Sequence, residues 1–321
     1  MIIWHQLPPL PDPCGFAGPF VGVIGQDLLV AGGANFPDKQ VWEGGIKTWH
    51  DRIYQLAPGA SEWRLVGRLR SPLAYGLSIS TAEGVLCAGG SDAEKFHREV
   101  FLIQSQGGVV GFRDLPPLPI PVAMGAGAQV GHMVYLAGGQ RSAQAKERLN
   151  TFFALDLQDF AAGWRSLPSW PGPDRSLAVA ASAGGYFYLF SGLRHHVTGA
   201  GSRAEYLTDA YRYAPAAGWE RLPDLPHAAV AAASPAPVTG DAIFLLGGLD
   251  GSGDRTPLQE FLAPPQRIQV HGIATKSWTE TGKTPVGRIC LATALWRGEW
   301  VFPSGECSPG IRSPEVWAAG F

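Results

Sequence analysis

One pattern constrains this chain more than any other: a short apolar run ending in a small pair, usually Gly-Gly, recurs six times. The first three runs are Leu28-Leu29-Val30-Ala31 before Gly32-Gly33, Val85-Leu86-Cys87-Ala88 before Gly89-Gly90, and Val134-Tyr135-Leu136-Ala137 before Gly138-Gly139. The others are Tyr188-Leu189-Phe190 before Ser191-Gly192, Ile243-Phe244-Leu245-Leu246 before Gly247-Gly248, and Trp300-Val301-Phe302-Pro303 before Ser304-Gly305. The second glycines stand at 33, 90, 139, 192, 248 and 305, at intervals of 49 to 57 residues. Such a period means one supersecondary unit repeated, with each copy burying its faces against its neighbours.

A second motif runs in step with the first. An aromatic residue is followed three places on by an apolar one at Trp4/Leu7, Trp63/Val66, Phe112/Leu115, Trp164/Leu167 and Trp219/Leu222, and Trp278 stands in the sixth copy without the leucine. Proline turns follow most of them, as in Leu7-Pro8-Pro9-Leu10-Pro11 and Leu222-Pro223-Asp224-Leu225-Pro226. A unit of about 50 residues with these marks matches one kelch blade of four strands. Strand B ends at the glycine pair, strand C is visible as Asp51–Leu56 and Thr208–Tyr213, and strand D carries the tryptophan. The apolar runs are continuous because inner strands are covered on both faces. The first tryptophan precedes the first glycine pair, and the last pair is followed by a strand C (Pro314–Ala318) with no strand D. The missing strand is Ile2–Leu7 at the other terminus, and pairing it there removes an open sheet edge. The expected fold is therefore all-β: one six-bladed kelch β-propeller over residues 1–321, closed by the N-terminal strand completing the C-terminal blade.

Composition agrees and excludes other classes. Glycine (42) and proline (27) supply the turns, tryptophan (11) is frequent, and only 16% of residues are charged, against roughly 25% in an average soluble domain. A net charge of -2 without a basic run argues against nucleic acid and anionic membranes as partners. No apolar stretch approaches the ~20 residues of a spanning helix, and the N-terminus shows no signal peptide, so a cytoplasmic protein is expected. Cys14, Cys87, Cys290 and Cys307 lack paired spacing and read as free thiols, although ring closure would bring Cys14 and Cys307 near each other.

In a propeller the loops after each glycine pair meet around the axis. They begin Ala34-Asn35-Phe36, Ser91-Asp92, Gln140-Arg141, Leu193-Arg194-His195-His196, Leu249-Asp250 and Glu306-Cys307. Such a polar ring is the default place for a small-molecule site. Two loops stand out. Residues 35–51 hold Phe36, Trp42, Trp49 and His50, and either cover a ligand or form a packed plug. Residues 306–312 set Glu306 and Arg312 across a Pro-Gly turn, and on the residues alone an internal ion pair tightening that turn is the simpler reading. Candidate ligand contacts are Asn35, Phe36, Trp42, Arg70, Asp92, Arg141 and Arg194. Tyr75, Arg175, His227 and Arg288 also lie near the start of a strand A and read first as structural hydrogen-bonders. His195-His196 has no further ligands at zinc spacing, so no metal is expected.

The stretch Gly32-Gly33-Ala34-Asn35-Phe36-Pro37, followed by Trp42-Glu43-Gly44-Gly45 and Asp51-Arg52-Ile53-Tyr54, resembles the kelch-type sialic acid mutarotases, the N-acetylneuraminate epimerases. The resemblance covers most of the chain if the blade order is rotated. The first blade is similar to a late blade of the bacterial periplasmic enzymes, and the blade bearing Asp250-Gly251-Ser252 and segment 253–266 is similar to their insertion-bearing blade. The whole resembles the cyclically permuted branch of that family. Trp42 and Trp49 stand where the bacterial loop is more polar and basic. Ser304-Gly305-Glu306-Cys307-Ser308-Pro309-Gly310-Ile311-Arg312 is similar to the family's Gly-Glu…Pro-Gly-x-Arg loop.

The resemblance implies a cofactor-independent interconversion of the anomers of N-acetylneuraminate or a related acidic sugar. It casts Glu306 as base and Arg312 as partner of the sugar carboxylate. The proton donor is left open among a loop histidine, a tyrosine and water. Two other readings compete. A non-enzymatic kelch interaction module shares the fold, because propellers host many functions. A copper oxidase of the galactose oxidase type would need two histidines and two tyrosines around the metal, and no such arrangement is visible.

Overall fold

The computed structural model describes residues 1–198, 201–254 and 263–321. Residues 199–200, in the run after His195-His196, and 255–262, inside segment 253–266, lie outside the described residues. Six four-stranded antiparallel sheets follow one another along the chain. The first blade is Phe20–Ile24, Asp27–Ala31, Arg52–Leu56 and Arg64–Arg68, and the next four repeat that order. The sixth takes three strands from the C-terminal end, Ala294–Trp296, Glu299–Pro303 and Val316–Gly320, and its outer strand from the N-terminus, Ile3–Leu7. The register runs from Ile3 opposite Gly320 to Leu7 opposite Val316. This is the closure expected from the phase of the repeat.

Each inner strand is buried along most of its length, as in Gly84–Ala88, because a blade is covered on both faces. Hydrophobic clusters accordingly sit between blades, one at each of the six junctions. One joins Leu86 and Leu102 to Leu136 and Phe153, and the closing one joins Val30 and Leu56 to Val301 and Ala318. The tryptophan–proline motif has a matching job. The indole N–H of Trp63 donates to the Pro8 carbonyl at 2.7 Å, Trp219 to Pro168 at 2.8 Å and Trp278 to Pro223 at 2.9 Å. These three blades are thus latched to the turn leaving the preceding blade, whereas the Trp164 N–H is buried without a partner.

The glycine pair is needed because the next blade approaches there. Gly32 has φ 65°, and a Cβ on it would stand 2.2 Å from the Leu73 carbonyl oxygen. Serine replaces the first glycine twice, at Ser191 (φ 55°) and Ser304 (φ 62°). Both hydroxyls are used: Ser191 Oγ accepts from Ala229 N–H at 2.8 Å, and Ser304 Oγ accepts from Phe16 N–H at 2.6 Å. A left-handed non-glycine costs about 1–2 kcal/mol, here offset by bonds to the neighbouring blade.

A closed backbone ring crosses the axis. Gly18, Tyr75, Met124, Leu177, Ala231 and Cys290 occupy equivalent places, all with φ between 55° and 62°. Each donates its N–H to the carbonyl of the preceding member, and Gly18 donates to Cys290, at 2.6–2.8 Å. Below it runs an axial channel lined by small residues such as Ser78, Gly127, Ala232 and Ala292. The four cysteines are free, Cys14 and Cys307 among them. Among the described residues, no helix is long and apolar enough to cross a membrane.

Candidate active site at the axial mouth

The backbone ring sets the floor of the site. Beside it, the first residue after each glycine pair bridges to the residue preceding a ring member: Ala17 with Ala34, Ala74 with Ser91, Ala123 with Gln140, Ser176 with Leu193, Val230 with Leu249 and Ile289 with Glu306. Six equivalent positions therefore surround the axis, and they carry alanine, serine, glutamine, two leucines and a glutamate. Glu306 is the one ionisable side chain in this set.

A small hairpin pairs Glu306–Ser308 with Ile311–Arg312 and places Glu306 directly opposite Arg312. Arg312 Nη2 lies 2.9 Å from Glu306 Oε2, with the two side chains only 4% and 15% exposed. Glu306 Oε1 also accepts the Gly310 N–H at 3.3 Å. Burial raises the Glu306 carboxyl above its usual range, although Arg312, the Gly310 N–H and Lys47 all pull the other way. The guanidinium is under-satisfied: Nε and Nη1 are buried without a hydrogen-bond partner.

The loop from residue 35 to 51 lies over this hairpin. The Arg312 guanidinium carbon sits 4.8 Å from the Phe36 ring centroid. A Cβ on Gly310 would meet Val41 at 2.8 Å and Trp42 at 3.9 Å. Gly310 (φ 79°) thus makes the tight turn and admits the loop above it. Lys47 follows on the same loop, just before the short strand Thr48–Trp49. Its Nζ lies 4.3 Å from the Tyr75 ring centroid and 4.9 Å from that of Trp49. Burial, then the charge of Arg312, lowers Lys47 to about 8, against smaller opposing effects of Cys290 and Glu306. Burial raises the Tyr75 hydroxyl strongly and pushes the Cys290 thiol up to about 12. The mouth thus gathers two cations and one carboxylate over neutral tyrosine and cysteine.

Of the residues singled out from sequence, Glu306, Arg312, Phe36 and Trp42 come together. Several others are engaged elsewhere. Asn35 is fully buried, donating to Asp12 and to the Gly15 carbonyl, with its Oδ1 2.8 Å from His50 Nε2. The Asp92 carboxylate holds the Glu94 and Lys95 N–H groups and His97. Arg194 pairs with Asp174 at 2.9 Å, and Arg141 is exposed on its loop. These four share one cause. Each is the second residue after its glycine pair, and side chains alternate along extended chain, so the first points to the axis and the second away from it. Arg70 sits between the first two blades, paired with Asp114 and over the Phe112 ring.

Arg175 and Arg288 are structural, as their positions suggested. Arg175 binds the Asp209 carboxylate with two nitrogens at 2.8 and 2.6 Å, and Arg288 binds the Ser304 carbonyl at 2.6 Å together with the Glu315 side chain. His195 contacts Ser202, and His196 contacts Glu205. Among the described residues no group of three or more histidine, cysteine, aspartate and glutamate side chains could hold a metal. Lys47 and Cys290 were missed. The available signal for Lys47 was a lone cation between Gly44-Gly45-Ile46 and Trp49 in an aromatic loop.

Fold and mouth together define a six-bladed propeller with a buried ion pair at its axial mouth. The family model for N-acetylneuraminate epimerase matches residues 1–111 and 115–263, and the chain belongs to that family. The N-acetylneuraminate epimerase of Haemophilus influenzae (strain 86-028NP) is 28% identical over 232 residues, covering 64% of this chain and 59% of that protein. The N-acetylneuraminate epimerase of Brucella suis (strain ATCC 23445 / NCTC 10510) is 38% identical over 115 residues, 32% of this chain and 29% of that protein. The chain therefore spans less than two-thirds of the length of these curated relatives. The solved structure of YjhT superposes with a TM-score of 0.72 at 14% identity, covering 97% of this chain and 95% of that one, a likeness of fold.

Proposed function

We propose that this chain is a cofactor-independent mutarotase that interconverts the anomers of N-acetylneuraminate or a closely related acidic sugar. The observation that carries the reading is the Glu306–Arg312 pair. A lone axial carboxylate is held against a buried guanidinium that still has two unmet donors. An anionic ligand would balance the excess positive charge, and its carboxylate would supply the acceptors that Arg312 lacks.

Mutarotation needs proton transfer at two oxygens. Glu306 takes the proton of the anomeric hydroxyl as the ring C–O bond breaks, and returns it after the carbonyl presents its other face. Burial raises its affinity for protons above that of an ordinary carboxylate, which makes it a stronger base, and a positioned base is worth about 10²–10⁴-fold. Arg312 holds the sugar carboxylate, and Phe36 and Trp42 cover the site. The family match ends at residue 263, whereas the loop with Glu306 and Arg312 lies beyond it. We read this as the mark of a rotated blade order. The four free thiols favour a reducing compartment, the cytoplasm.

The test is exchange spectroscopy by NMR on freshly released α-N-acetylneuraminate. Wild-type protein is expected to speed equilibration, Glu306→Gln to abolish it while the fold survives, and Arg312→Ala mainly to raise KM. Full exchange in the Glu306→Gln variant, or an unchanged KM in Arg312→Ala, contradicts the assigned roles.

A further inference from the structure

Opening the sugar ring requires a proton on the departing ring oxygen, and the groups at the mouth can be tested one by one as its source. Arg312 does not release a proton in the working range. Tyr75 and Cys290 are held in their protonated forms by burial, Cys290 up to about 12, so both are weak acids near neutrality. His50, the histidine of the covering loop, is tied through Nε2 to Asn35 Oδ1 at 2.8 Å, and burial lowers its affinity for a proton. That leaves Lys47.

Its position fits the task. The two-stranded pairing of Ala34–Asn35 with Thr48–Trp49 anchors the chain immediately after Lys47. Its ammonium rests on the faces of Tyr75, a member of the axial ring, and Trp49. Glu306 rises from the neighbouring part of the same ring, its backbone bridged to Ile289 next to Cys290. The two side chains thus reach one mouth from different blades. Aromatic faces hold a cation without accepting its protons in strong hydrogen bonds, so the N–H groups stay available to a ligand.

We propose that Lys47 is the proton donor to the ring oxygen, acting from the blade-1 loop while Glu306 acts on the anomeric hydroxyl; this rests on the mutarotase reading above. In the opening step Glu306 takes the hydroxyl proton, the O–H electron pair becomes the C=O π bond, the ring C–O bond breaks, and the ring oxygen takes a proton from the Lys47 ammonium. After the carbonyl turns its other face, the new chain hydroxyl attacks it and returns its proton to the Lys47 amine. Glu306 then reprotonates the carbonyl oxygen. Both side chains end as they began.

The surroundings tune the donor. Burial and Arg312 lower Lys47 to about 8, while Glu306 and Cys290 oppose them. An ordinary lysine near 10.4 would be a much weaker acid at neutral pH. The exchange rate should therefore fall on the alkaline side with a midpoint near 8.

The experiment is the pH–rate profile of anomer exchange for wild-type protein, Lys47→Arg and Lys47→Ala, with sugar binding and thermal unfolding measured alongside. Lys47→Arg keeps the cation but cannot release a proton, so kcat should drop by about 10²-fold or more with KM little changed and the alkaline limb lost. Lys47→Ala should be rescued by small primary amines, with faster rates for the more acidic ammonium ions. If Lys47 only clamps the sugar carboxylate, Lys47→Arg keeps kcat and Lys47→Ala shows only a raised KM; that result overturns the donor role and leaves the mutarotase reading standing. Wild-type protein without exchange overturns both.

Discussion

The Glu306–Arg312 pair can be a staple that tightens its turn or a site kept at the expense of stability, and a double substitution separates these. Arg312 buries two nitrogens without acceptors. Each unmet buried donor costs about 1–3 kcal/mol, so the two together cost about 2–6 kcal/mol before the desolvation of either charge. Replacing both partners by apolar residues of similar volume, Glu306→Leu with Arg312→Met, removes those costs. It should leave the protein as stable as wild type or about 1–4 kcal/mol more stable. Arg312→Met alone strands a buried carboxylate and should cost about 3–5 kcal/mol at neutral pH. That loss should shrink as pH falls, because the stranded carboxyl, already raised by burial, protonates in the fold before it does in the unfolded chain. Urea unfolding followed by tryptophan fluorescence measures both variants against wild type. A double variant destabilised as much as Arg312→Met alone would show the pair to be structural, and the argument from unmet donors would fail.

Two further outcomes follow from the fold. His271 is fully buried, both its ring nitrogens lack partners, and burial lowers it from 6.5 to about 4. The unfolded chain takes up this proton first, so stability is intact above pH 6.5 and should fall by about 3 kcal/mol as pH drops to 4. His271→Phe, set among Tyr188, Phe190 and Trp278, should flatten that part of the pH–stability curve; an unchanged slope in urea titrations would refute the assignment. Deleting residues 1–7 strips the outer strand from the sixth blade and opens Val316–Gly320 as an edge. Light scattering should then show association and urea unfolding a lower midpoint, and a monomer of unchanged midpoint would contradict closure by that strand.

The architecture was legible in the residues because it is periodic. Four Gly-Gly and two Ser-Gly pairs, the aromatics in step with them and the unmatched strand at each end specify six blades and how they close. Backbone crowding demands glycine in every copy, and in three copies the strand-D indole finds a proline carbonyl. The Glu306–Arg312 ion pair was legible for a different reason: the two share one short turn, so sequence proximity is spatial proximity.

The rest of the mouth was not readable that way. Asn35, Asp92, Arg141 and Arg194 sit one residue past the positions that face the axis, and a shift of one residue along extended chain turns a side chain to the opposite side. Lys47 lies in a loop without any period, and it meets Tyr75 and Arg312 from different blades. The local pattern of a chain reports the repeating backbone geometry that each segment must satisfy. Which side chains converge on the axis depends on the ring being closed, because contacts between segments tens to hundreds of residues apart exist only after all six blades have packed.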